Sequence, residues 1–172
     1  MKKTILTAIA VMLLACNTAL AQPADLRAQQ QKVNNIKKTQ QGKVIFRLVE
    51  KYSKQYKVDP AFAHSVILVE SGYNPNAKSP CGAKGLFQMM DGTFYARKVG
   101  NNPYNIEQNI QAGIKHIAGL QAKYKGNMYA VASAYNIGGG AHDKLVAKYG
   151  TMPKVTKDYV YRVQSYKQLI TF

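Results

Sequence analysis

The chain has 172 residues, room for one domain with its own core, and its 47% hydrophobic content excludes wholesale disorder. Its 24 Lys and Arg against 8 Asp and Glu give a formal net charge of +16, which draws it toward polyanions such as nucleic acid, acidic membrane or bacterial cell wall. Cys16 and Cys81 are too few for a disulfide framework.

Met1-Lys2-Lys3, the apolar run Ile5 to Ala15 and the small-residue site Ala19-Leu20-Ala21 have the parts of a secretory signal over residues 1–21, too short to span a bilayer. Without Lys2 and Lys3, 22 basic residues face the same 8 acids, an excess of +14. An exported chain rarely meets a genome, so nucleic acid drops out as a partner and a periplasmic protein is expected. A second reading stays open: Leu13-Leu14-Ala15-Cys16 resembles a lipobox, in which a lipidated Cys16 would tether the chain to the membrane. Export would leave Cys81 without a partner, either buried or a spare thiol.

Residues 22–42 are rich in Gln, Lys and Asn, and Leu26, Val33 and Ile36 are too sparse to define a strong face; they read as a basic polar linker or frayed helix. The folded domain is expected over 43–172. Ile45, Leu48, Val49, Tyr52 and Tyr56 recur at helical spacing. Asp59-Pro60 then supplies an N-cap and a first-turn proline, predicting a helix to about Ser71. Residues 72–85, with Asn74-Pro75, Ser79-Pro80 and repeated glycine, read as an ordered loop, and Asp91 as the N-cap of the next helix. A long helix carries Ile106, Ile110, Gly113, Ile114, Ile117, Leu120 and Tyr124. Asn127 caps another from Met128 to Tyr135, which Gly138 to Gly140 stop. A last helix spans about Thr156 to Ile170. No run alternates at period two, so the fold class is mostly α.

Phe62, Val66 and Glu70 are four apart, which puts Glu70 on an apolar stripe. A carboxyl there loses hydration on ionising, so it holds its proton toward neutral pH and can donate it. Alone, Glu70 would read more simply as a helix-terminal residue turned to solvent. The histidines suggest structural roles: His64 faces elsewhere on its helix, His116 falls on the polar side of its own, and His142 follows the glycines in a turn. No pair has zinc spacing, and no metal or organic cofactor is implied. A peptidase built on Cys81 lacks a histidine tied to it, with Pro80 and Gly82 flanking the thiol.

The segment YKVDPAFAHSVILVESGYNPNAKSPCGAKGLFQMM, with AYNIGGG and YVYRV downstream, closely resembles the soluble lytic transglycosylase catalytic domain. Four marks come in order over Lys43 to Val163: Glu70-Ser71, Gly85-Leu86-Phe87-Gln88, Ala134-Tyr135-Asn136 and Tyr159-Val160. The resemblance implies a single lysozyme-like (goose-type) helical domain acting on peptidoglycan. It implies cleavage of the β-1,4 bond between N-acetylmuramic acid and N-acetylglucosamine, leaving a 1,6-anhydro end. Glu70 would be the one acid and base, with Ser71, Gln88, Tyr135, Asn136 and Tyr159 lining the substrate cleft. For Tyr135 and Tyr159 a core-packing role is compatible with that. Two alternatives stand beside it: a lysozyme-type hydrolase, and a wall-binding scaffold that has lost turnover. By its small size the chain also resembles specialised transglycosylases that open the wall for secretion systems, conjugation or pili, whose apparatus would then be a partner.

Overall fold

The computed structural model describes residues 23–171; the expected signal segment and Cys16 lie outside them. Among the described residues eight α-helices run in chain order: α1 (Pro23–Lys38), α2 (Gln40–Tyr56), α3 (Pro60–Glu70), α4 (Asp91–Tyr95), α5 (Ile106–Lys123), α6 (Met128–Ile137), α7 (Gly139–Tyr149) and α8 (Lys157–Lys167). A short 3-10 turn, Lys154–Thr156, leads into α8. Among the described residues the only β-pairing is two isolated bridges, Lys78 with Lys84 and Lys84 with Met89.

The expected caps form. Asp59 accepts the Ala61 amide at 2.9 Å with Pro60 in the first turn of α3, and Asn127 accepts from Tyr129 and Ala130 at the start of α6. Each satisfies backbone donors that a helix start leaves orphaned. Helix α3 is the centre of the molecule: Phe62, Ala63, Val66 and Ile67 are fully buried, with α8 packed on one side and α2 on another. Helices α2 and α5 pack together extensively, and α6 bridges α5, α7 and α8. One continuous core results, with Phe87, Phe94, Ile110, Ile114 and Ile117 at zero exposure.

Three local expectations need correction. Residues 23–38, read as a linker or frayed helix, are helical and packed. Val33 is 1% exposed, Leu26 and Ile36 lie against the core, and the Tyr166 hydroxyl donates to Asp25 Oδ2 at 2.7 Å. A sparse stripe suffices because α1 need cover only the seam of α2 and α8. Asp91 does not cap α4; Met90 holds that position, and the Asp91 carboxylate pairs with Lys84 at 2.7 Å instead. Only Gly138 breaks the helix, at φ +83, after which Gly139 and Gly140 open α7. His142 is therefore helical and buried, with its Nδ1 2.8 Å from the Ser133 hydroxyl.

His64 is a core residue. Its ring stacks on Phe46 at 3.9 Å, and the Tyr73 hydroxyl lies 3.0 Å from its Nδ1. Burial pushes its pKa down to about 3, so it is neutral at every physiological pH.

Candidate active site

Glu70 is the last residue of α3 and is half-buried. Its Oε1 accepts a hydrogen bond from the Tyr159 hydroxyl, 2.7 Å away on α8. Burial raises the Glu70 carboxyl to about 7 from an ordinary 4.5, against the opposing pull of the Tyr159 hydrogen bond and the positive charge of Arg162. The negative end of the α3 dipole acts in the same direction as burial. The side chain is therefore poised between acid and base near neutrality.

The other seven acids are occupied or exposed elsewhere. Asp25 accepts from Tyr166, Asp59 pairs with Lys167, Asp91 with Lys84, Glu107 with Lys51 and Asp143 with Lys123. Glu50 and Asp158 are exposed. None contributes to the electrostatic environment that sets the Glu70 acidity.

The loop Gly85–Gln88 is clamped at both the N–H and the C=O of Phe87. Asn109 of α5 accepts the Phe87 amide at 2.8 Å and donates to Lys84 O and Pro103 O at 3.1 and 2.7 Å. Tyr135 donates to Phe87 O at 2.7 Å. Gly85 (φ +75) has no room for a Cβ, which would meet Asn109 Cγ and Pro103 O. The Phe87 ring lies directly over Gly113, so only glycine fits on α5 at that point.

The expected site residues do not all converge. Glu70 and Tyr159 touch. Tyr135 is half-buried and lies near enough to Glu70 for that carboxylate to raise its hydroxyl pKa, after burial; its own bond, however, goes to the loop. Asn136 follows it, with a buried Oδ1 that no described residue satisfies. Gln88, held at φ +44, spends its amide N–H groups on Ala77 O and Gly85 O at 3.0 and 2.9 Å, leaving the amide oxygen as its free acceptor. Ser71 bonds back to Ile67 O at 3.2 Å. Sequence reasoning missed Arg162, one turn beyond Tyr159 with its guanidinium 5.8 Å from the Tyr166 ring; a charge three residues after a cleft tyrosine was the available signal. It missed Asn109 as well, a polar residue on the inward side of α5. His116 was misplaced: its ring lies 5.4 Å from Tyr135, half-buried, and burial and Arg97 push its pKa down to about 4.

The described residues form a helical fold with one half-buried carboxyl that burial holds near neutrality. Solved structures agree on the fold. The 70 kDa soluble lytic transglycosylase of Escherichia coli superposes with a TM-score of 0.66 at 24% identity, covering 72% of this chain and 23% of that one. The Pseudomonas aeruginosa lytic transglycosylase Slt, solved as an inactive glutamate-to-glutamine mutant, gives 0.64 at 22% identity, over 70% of this chain and 23% of its own. The sequence profile of the Transglycosylase SLT domain matches residues 47–157, and the chain belongs to that family. Glu70, Ser71, Gln88, Tyr135 and Asn136 fall inside the match, and Tyr159 lies just past its end. Among relatives, membrane-bound lytic murein transglycosylase C of Actinobacillus pleuropneumoniae serotype 5b is 34% identical over 138 residues. The protein of that name from Glaesserella parasuis serovar 5 is 37% identical over 123. The alignments cover 67% and 58% of this chain and 38% and 34% of those proteins, so the chain spans well under half their length.

Proposed function

We propose that this chain is a peptidoglycan lytic transglycosylase that cuts the β-1,4 bond between N-acetylmuramic acid and N-acetylglucosamine and leaves a 1,6-anhydro-muramyl end. The observation that carries the reading is a carboxyl near neutrality, bonded to Tyr159, with no second carboxylate among the described residues acting on it. Glycosidases that use water or a covalent intermediate ordinarily need two flanking carboxylates. Glu70, protonated, gives its proton to the bridging oxygen as the C1–O bond breaks and positive charge grows at the anomeric carbon. The carboxylate that remains is stabilised by the Tyr159 hydroxyl and by Arg162. It takes the proton of the muramyl C6 hydroxyl while that oxygen closes on C1, and the acid is restored without water being consumed. An oxygen already tethered to the reacting ring replaces the missing carboxylate by proximity.

Around this step, the Gln88 Oε1 is an acceptor free for sugar N–H and O–H groups. Tyr135 and Asn109 hold the loop that carries Gln88. The names of the relatives accord with a murein substrate, and a solved complex of the 70 kDa soluble lytic transglycosylase with bulgecin A accords with a fold that offers a binding cleft. Export to the periplasm, by a cleaved signal or a lipid on Cys16, is the matching location. No helix among the described residues is long and apolar enough to cross a membrane. Purified sacculi incubated with the protein should clear, and Glu70→Gln should lose that activity by about a hundredfold or more. Equal clearing by both would end the reading, and no clearing by either would favour a wall-binding scaffold.

A further inference from the structure

Helix α1 precedes the residues that the family profile matches, yet it is packed into the same core. Val33 is buried in the core, Asp25 takes the Tyr166 hydroxyl, and Lys37 donates to the Thr171 carbonyl. From this anchored helix Lys32 extends over Gly72, two residues past Glu70. A Cβ on Gly72 would collide with the lysine ammonium and sit 3.3 Å from its Cε. Gly72 lies at φ +57, and its bare backbone is the floor on which the lysine rests.

The Lys32 ammonium has no internal purpose. No carboxylate among the described residues pairs with it, and the acid on its own helix, Asp25, is held by Tyr166. It does not set the acidity of Glu70 either, which is governed by burial, Tyr159 and Arg162. It is an exposed cation on an ordered support, held over the second residue past the acid.

In the glycan reading above, on which this step rests, the sugar cleaved at Glu70 carries a peptide on its C3 lactyl ether, and that peptide bears free carboxylates. We propose that Lys32 binds a carboxylate of this stem peptide, so that the N-terminal helix makes the enzyme prefer glycan strands that still carry their peptides. The positive charge thereby has a specific target in addition to general adhesion to the wall.

The test uses the protein as wild type, Lys32→Gln and Lys32→Arg, on peptide-bearing sacculi and on glycan strands stripped of peptides by an amidase, with the lactyl carboxyls so exposed then capped as amides. An exposed ion pair predicts a loss of about three- to fivefold in kcat/KM for Lys32→Gln on peptide-bearing strands, no loss on stripped strands, and recovery in Lys32→Arg. The deficit should shrink at high salt, and the pH profile should not move. Equal losses on both substrates, or no loss on either with an active wild type, overturn the proposal. A wild type that releases no fragments from either substrate overturns the glycan-cleaving reading, and the proposal with it.

Discussion

Replacing Glu70 by glutamine preserves the side-chain shape and removes its ionisation, so wild type and variant should diverge in stability with pH. Burial holds the folded carboxyl at about 7 against 4.5 when exposed. Below pH 4.5 the group is protonated in both folded and unfolded chains, and the two proteins should be about equally stable. Between 4.5 and 7 the unfolded glutamate has lost its proton while the folded one keeps it. Folding then takes up a proton, and wild-type stability falls by about 1.4 kcal/mol per pH unit. Past about 7 both forms are ionised, and the loss levels off near 3 kcal/mol. Urea unfolding followed by circular dichroism at pH 4.5 and 8.5 measures it directly. The glutamine variant should gain about 2–3 kcal/mol over wild type between the two conditions. A difference that stays constant would refute the claim that burial keeps Glu70 protonated.

Turnover should follow the same proton. Release of soluble fragments should be constant at acidic pH and fall about tenfold per unit above the Glu70 midpoint near 7. Tyr159→Phe removes a donor to the carboxylate; the midpoint should move to higher pH and kcat should drop at least about tenfold. Asn109→Ala strands the Phe87 amide and leaves two carbonyls short of a partner, at a cost of about 3 kcal/mol or more in thermal or urea unfolding. Val33→Ala should destabilise by about 1.5 kcal/mol, because α1 is packed; no change would return those residues to a linker.

The helices whose apolar residues recur densely were legible in the sequence. Asp59-Pro60 and Asn127 announced α3 and α6 because a capping side chain beside a helical stripe admits few other structures. Helix α1 was obscured because Leu26, Val33 and Ile36 bury one narrow line, and the rest of its hold on the fold is polar: a tyrosine on Asp25 and a lysine on a terminal carbonyl. The glycine triplet misled in a different way. Only the first has a conformation that demands glycine, and the other two are ordinary helical positions. Within the site, the four motifs pointed to Glu70 and Tyr159, which the fold brings together from residues 89 apart in the chain. What the motifs could not convey is the division of labour. Gln88 and Tyr135 both spend hydrogen bonds on backbone carbonyls, and the loop is held by Asn109 from another helix.

Glu70 is proposed to work without a second carboxylate because the sugar's own C6 hydroxyl closes on the anomeric carbon. Mass spectrometry of the muramyl ends released from sacculi tests this most directly. Fragments lighter than the corresponding reducing species by one water, insensitive to borohydride and absent with Glu70→Gln, are the expected products. Reducing muramyl ends that incorporate labelled oxygen from solvent water would contradict the account and make the protein a hydrolase.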